Sequence, residues 1–403
     1  MLRTVAFSLL VLTLSTCCGG LFSPEGDGGT GGGTGGGTGG GTGGGTGGGT
    51  GGGTGGGTGG GTGGGTGGGT GGGTAGGAGG GTGGGTGGST ADAGRNYAPL
   101  QLSALSLPAS LNYGSITGLS GHPGELWAVS DNGHVYRRTD GGFGEMLGWT
   151  SSWTDVYVAP TGAVFIASNV RTLRWCLNNC TSPAAFDTFD IPNSSSDLDA
   201  LCGSSATDVY AIANRDSSIA ILWHWDGVSW TQLSNNLGLI SPRDCYLRPD
   251  GVLFITGIRD VVRWEQGAAT VETAGLDLSA LGADATSQTW TGIHGLGDSM
   301  VTVGAKKRAL TRNAATSTWS LTANPINTST NFNAVGFAWP DEAYAAGNST
   351  PKLLHVSDGG PWVPTAVDLP AITSVNEILV LTPDEVYFGG SDNNGPVIVR
   401  GRR

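Results

Sequence analysis

The sequence predicts an all-β protein: one seven-bladed β-propeller of four-stranded antiparallel blades, preceded by a glycine-rich tract. Three observations carry this reading. Beyond Arg95, short runs of β-branched and aromatic residues recur about every 43 residues. Hairpin signals follow the runs, and no stretch keeps a helical period over three turns. The last unit ends one strand short, while an unassigned strand-like segment precedes the first unit.

The chain has 403 residues, and 79 are glycine, mostly before Arg95. Setting that tract aside leaves roughly 300 residues, the size of one large domain. The formal charge is −12, and the one basic cluster is Lys306-Lys307-Arg308. A nucleic-acid surface needs clustered Lys and Arg, so none is expected.

At the N-terminus, Arg3 precedes an apolar run from Val5 to Leu14, broken by Ser8 and Thr13. The run is too short to span a bilayer as a helix and suits the apolar core of a signal peptide. Leu14-Ser15-Thr16-Cys17 follows. This resembles a bacterial lipobox, and the resemblance implies a signal peptide over 1–17 and a diacylglyceryl group on the cysteine. Thr16 departs from the usual Gly, Ala or Ser, which leaves Cys18 as the alternative site, with Ser15 then in place of the Leu. Ordinary cleavage with two incidental cysteines is the plain alternative. No Asp follows the Cys, which by the same resemblance implies sorting to the outer membrane, on its surface or periplasmic face.

Residues 18–96 read as a linker. Thr30, Thr34 and onward to Thr74 recur at a period of four between glycines. No large apolar side chain is present to offset the entropy of ordering glycine, so a flexible coil is expected. Its root-mean-square span would be about 45–50 Å.

Residues 97–403 hold the repeat. "ELWAVS" at Glu125, "AVFIAS" at Ala163, "DVYAIA" at Asp208, "VLFITG" at Val252, "MVTVGA" at Met300, "EAYAAG" at Glu342 and "EVYFGG" at Glu385 anchor seven units. Their third residues, Trp127, Phe165, Tyr210, Phe254, Thr302, Tyr344 and Tyr387, are separated by 38, 45, 44, 48, 42 and 43 residues. That interval fits a four-stranded propeller blade. Asp140-Gly141, Asp226-Gly227 and Asp358-Gly359 supply hairpin turns. After "EVYFGG" only one further strand remains, so Pro99 to Pro108 is expected to complete the last blade and close the ring. The repeat resembles the DVYAVG…DGxxW type of bacterial surface β-propellers, which speaks for fold and is silent on ligand.

Of six cysteines, four lie in the repeat. Cys176 and Cys180 bracket a hairpin and are expected to bridge. Aligning blades three and four on Asp199 and Asp244 puts Cys202 and Cys245 on the same strand face. Neighbouring blades meet through opposite faces, so two buried free thiols are expected, a bridge between blades three and four being the alternative. The five histidines are scattered and carry no zinc spacing.

Ten or eleven residues before each anchor stand Thr117, Asp155, Asp199, Asp244, Thr291, Asn333 and Asn376. If they share a rim, three carboxylates form an acidic arc. Such an oxygen-rich ring suits a hard cation such as Ca²⁺, or the amine or hydroxyl groups of a ligand. The plainer alternative is that these side chains tie blade connections through backbone hydrogen bonds. Trp153, Trp290 and Phe332 lie beside the rim as candidate stacking surfaces. No nucleophile-elbow pattern or sialidase box appears, so no catalytic residue is assigned. The expected function is a non-enzymatic, monomeric, membrane-anchored module that binds a protein or glycan. The alternatives are a carbohydrate-active hydrolase or lyase using the acidic arc, and a structural envelope component.

Overall fold

A computed structural model describes residues 99–403, apart from short segments at 109–113, 147–148, 150, 193–196, 216–218, 280–287, 323–330, 349–352, 357–361, 365–368 and 370–371. The chain divides into two units, Met1–Arg95 and Asn96–Arg403. In the first, the described pieces are the strands Thr62–Gly63, Thr66–Gly67, Gly71–Gly73 and Ala75–Gly76, paired in parallel at a four-residue offset. The signal segment, Cys17, Cys18 and most of the linker lie outside the described residues. Among the described residues, no helix is long and apolar enough to cross a membrane.

The second unit is a ring of seven four-stranded antiparallel sheets. Blade one runs Ile116–His122, Glu125–Ser130, Val135–Thr139 and Gly142–Glu145. Blades two to six repeat the same up-and-down order. Their innermost strands are Trp153–Val158, Asp197–Ser205, Ile240–Leu247, Trp290–Leu296 and Phe332–Trp339. Blade seven is built from Ser374–Thr382, Glu385–Ser391, Pro396–Arg402 and, from the other end of the chain, Gln101–Leu105. The last pair is antiparallel, with Ile398 opposite Leu105 and Arg402 opposite Gln101. The expected closure by the N-terminal strand is therefore present.

The burial pattern explains why the second strand of each blade was the legible one. It is sandwiched on both faces by neighbouring blades, so it reads as a continuous apolar run: "ELWAVS" is buried at five of six positions and "VFIAS" at all five. Outer strands face solvent on one side and carry weaker patterns; Trp230–Ser234 is buried at Trp230 alone.

Apolar burial is divided into seven clusters, each lying between two adjacent blades. Between blades one and two, Trp127, Val129, Val156, Val164 and Ile166 interlock. Between blades seven and one, Tyr387, Ile398, Ile116 and Leu126 do so. Every blade contributes to two clusters, so the ring has no terminal blade with a naked face.

Leu100, in the segment leading into the closing strand, is only 7% exposed and packs against Val399 and Phe388. Leu100→Ala should cost about 2–4 kcal/mol in chemical denaturation. Deleting 99–108 should lower the melting temperature further, because it also strips the hydrogen-bonding partner of Pro396–Arg402.

Candidate functional site

The functional candidates sit where the innermost strands begin. All seven of these strands carry a register shift at or just before this point, for example between Ile116 and Gly118 or between Val375 and Glu377. A regular strand sends consecutive side chains to opposite faces, whereas a bulge re-aims one of them. Two successive positions thereby reach the axis. The first is Thr117, Thr154, Asp199, Arg243, Thr291, Asn333 and Asn376, by blade. The second is Gly118, Asp155, Ala200, Asp244, Gly292, Ala334 and Glu377. Together, ten of these side chains line an axial cavity of about 320 Å³: all seven of the first set, with Asp155, Asp244 and Glu377 from the second.

All seven rim residues proposed from sequence line this cavity. Thr154, Arg243 and Glu377 were missed. Counting back from the anchors mixed the two positions, since Asp155 and Asp244 belong to the second and the others to the first. Blade five added a slip of its own. Val301, not Thr302, pairs with His294 and so occupies the place of Phe254 opposite Tyr246.

Most rim side chains are tied to the next blade. Thr117 Oγ1 donates to Trp153 O at 2.9 Å, Thr291 Oγ1 to Phe332 O at 2.6 Å, Asn333 Nδ2 to Val375 O at 2.9 Å and Asn376 Nδ2 to Ile116 O at 3.1 Å. In each case a first-position donor reaches the carbonyl just before the next blade's first position. Blades two and four use the second position instead. Asp155 accepts from Val156 N and Leu201 N, both at 2.7 Å. Asp244 accepts from Cys245 N at 2.7 Å and Ile293 N at 2.8 Å. In blades one and five, where the first position makes the tie, the second must be glycine: a Cβ on Gly118 would stand 2.8 Å from Asp155 Cα, and one on Gly292 2.7 Å from Asn333 O. The backbone-tying alternative thus describes six of the seven junctions.

Blade three to blade four is the seventh. Asp199 cannot donate when ionised, and Ala200 has no carboxylate to offer. Among the described residues this junction has no rim tie, and it holds Cys202 and Cys245 instead. Their Cα atoms are 6.1 Å apart and their sulfurs are bonded. This corrects the expectation of two free thiols. By strand register Cys202 lies opposite Tyr210, and Tyr246 lies opposite Phe254. Cys202 therefore corresponds to Tyr246, and Cys245 to Leu201. They point to opposite blade faces and meet in the cluster between blades three and four. Cys176 and Cys180 are also bonded, with Cα atoms 5.7 Å apart.

Trp153, Trp290 and Phe332 are not stacking surfaces. They are 0%, 0% and 2% exposed, inside the inter-blade clusters. The Trp153 and Trp290 indoles donate to Gly133 O and Arg259 O, each at 3.1 Å. Nor do the acidic residues converge on a Ca²⁺ site. Among the described residues no group of three or more His, Cys, Asp or Glu side chains is arranged to hold a metal. Asp155 and Asp244 turn toward backbone amides rather than toward each other.

The cavity nonetheless holds four carboxyls against one guanidinium, all from the lining set. Burial pushes the Asp155 carboxyl up to about 8, with Asp244 adding repulsion, against the pull of the Leu201 and Val156 amides. Burial raises Asp199 to about 7, opposed by Arg243. Burial also raises Asp244, opposed by the Ile293 and Cys245 amides. Glu377 is pushed well above the usual range by burial and by the charges of Asp244 and Asp155.

A second recurrent cluster, missed in the sequence, forms where second strands begin. In blade one Glu125 accepts from Trp127 Nε1 at 2.9 Å and Arg137 Nε at 2.7 Å. In blade seven Glu385 accepts from Tyr387 OH and Arg400 Nε, each at 2.6 Å. In blade three His224 meets Asp208 at 2.9 Å and packs on Tyr210. In blade six Glu342 joins His355 at 2.7 Å and also Tyr344 and Arg403. The acid-x-aromatic start of the repeat, paired to a base on the third strand, is thus a packing device that ties strands together.

No protein family matches the chain, and no curated protein does. The likeness is to solved propellers. A structure described as YCF48 bound to D1 peptide is 16% identical, with a TM-score of 0.56, over 77% of this chain and 98% of that one. The WD40 propeller domain of Doa1 is 11% identical, with a TM-score of 0.57, over 76% and 97%. The extracellular domain of the B. thetaiotaomicron protein BT4673 is 10% identical, with a TM-score of 0.54, over 75% of this chain and 40% of that one. The chain shares their fold.

Asp244→Ala would strand the Ile293 and Cys245 amides and should cost about 1–3 kcal/mol in urea unfolding. Removing the Cys202–Cys245 bridge, with its separation of 43 residues, should cost about 4 kcal/mol by loop entropy; the Cys176–Cys180 bridge, separated by 4, should be worth about 2. The raised carboxyls set a pH slope. Between their unfolded value of about 3.9 and folded values of about 7 for Asp199 and 8 for Asp155, the unfolded chain releases protons that the folded ring retains. Stability therefore falls as pH rises through this window. Glu377, raised in the same direction, should add to this slope, so Glu377→Gln should flatten the fall in melts across the window.

Proposed function

We propose that this chain is a surface-displayed binding module. It would be acylated at Cys17 or Cys18, carried off an outer membrane by the 18–96 linker, and would present the upper mouth of a monomeric propeller to a protein or glycan. The observation that carries this reading is the polar axial cavity, which opens at the face where innermost strands begin. The ring of blades gives this mouth a rigid base. Two neighbours lend support by analogy of fold: one solved propeller is described with a bound peptide and another as an extracellular domain. The apolar run and lipobox-like Leu14–Cys17 support export and anchoring.

The hydrolase or lyase reading is weakened by the rim itself. Asp155 and Asp244 each commit both oxygens to backbone amides, and such carboxylates are poorly placed to shuttle protons to a substrate.

Full-length protein should retain peptides or oligosaccharides from an array without releasing products. Product release would favour the enzyme reading; neither retention nor release, with the protein in insoluble assemblies, would favour a structural envelope role. In a Gram-negative host fed an alkyne fatty acid, the chain should take up label and lose it when both Cys17 and Cys18 are replaced by Ser. Label persisting in the double variant, or never appearing, would rule out anchoring at this site.

A further inference from the structure

The rim divides its labour unevenly. At six junctions a rim side chain is consumed in tying one blade to the next. At the seventh, the Cys202–Cys245 bridge joins the blades below the rim, and Asp199 is left unused. Its Oδ2 is buried and has no hydrogen-bond partner. Thr154 Oγ1, at the neighbouring first position of blade two, is likewise buried and unpartnered. Both line the axial cavity, together with Arg243 of the adjacent blade, whose charge acts on Asp199, and Glu377 of blade seven.

A buried carboxylate oxygen without a donor is costly, and native folds seldom keep one without a use. The fold had a cheaper residue available. Asn at position 199 would stand as Asn333 and Asn376 stand in their blades, donating to the carbonyl before the next first position, which here is Pro242 O. The observed Asp forgoes that bond.

We propose that Asp199, freed from ring closure by the Cys202–Cys245 bridge, is the contact residue of a ligand subsite that receives the ammonium group of a partner protein's lysine side chain. The inference rests on the binding-module reading and makes it specific. The lining carries four carboxyls and one guanidinium, and a docked cation would be met by carboxyls that ionise around it, so a cation is favoured over an anion. The lining side chains are Thr, Asp, Asn, Glu and Arg, with no aromatic face on which a sugar ring would lie. A slender chain ending in three N–H donors suits a lining of hydroxyl, amide and carboxyl oxygens to which Asp199 and Thr154 belong.

The test uses full-length protein and a blocked tripeptide, acetyl-Gly-Lys-Gly-amide, with its norleucine counterpart and glucosamine as comparisons. Calorimetry should show binding of the lysine peptide and none of the norleucine peptide. Asp199→Asn should weaken that binding by at least about tenfold and raise the melting temperature by about 2–4 °C. In a Cys202→Ser, Cys245→Ser chain, the same Asn should recover part of the lost melting temperature. Tighter binding of glucosamine than of the lysine peptide would overturn the choice of ligand. Lysine binding unaffected by Asp199→Asn, a lower melting temperature in that variant, or no recovery in the cysteine-free background would each overturn the role of Asp199. If array ligands are still retained while Asp199→Asn changes nothing, the binding-module reading survives and the subsite does not. If no array ligand and none of these probes binds, both fall.

Discussion

A blade of this ring can hide its two faces only against the blades on either side. No central core exists to fall back on, since apolar burial is parcelled into seven seams. Every other feature answers to that constraint. Near the axis the innermost strands crowd together, and their backbone groups at the bulged starts need partners from across a seam. Hydroxyls, amides and carboxylates supply them, each reaching one blade forward. Far from the axis, acid, aromatic and base clusters hold strands of the same blade in register.

The seams are chemically interchangeable but not identical. A donor at the first rim position or an acceptor at the second does the same mechanical work, and the idle position is free to vary from glycine in blades one and five to Arg243 and Glu377 in blades four and seven. This explains why the rim looks irregular as a sequence while being regular as a structure. It also explains why the carboxylates are not one population. Asp155 and Asp244 are structural acceptors across a seam, whereas Asp199 keeps a buried oxygen without a partner and Glu377 accepts from the amide of its own neighbour, Ile378.

The fold was legible because strands buried on both faces leave an unmistakable apolar run, and because "EVYFGG" is followed by too few residues to finish a sheet. The rim was legible as a set of positions, from small polar residues at a fixed distance before each anchor. Its detailed alignment was not, because a bulge adds a residue without leaving a sequence signal. That single offset hid Thr154, Arg243 and Glu377 and misassigned the faces of Cys202 and Cys245. The aromatic residues at the rim misled for a related reason. Trp153 and Trp290 precede the bulge and point into the seams, where their indole N–H groups find carbonyls.

The pairing of Gln101–Leu105 with Pro396–Arg402 has a temporal side. The strand that completes the ring is the first of the ring's strands to be synthesised, and its partner is the last of them. Until residue 402 is available, that early strand has nothing to pair with, and blade one has no neighbour on one flank. Such a contact between sequence-distant segments is slow to form and must await the last blade. A nascent chain, or one cut short before residue 402, would therefore keep open edges and stay recognisable to chaperones and proteases, so ring closure reports that every blade has been made.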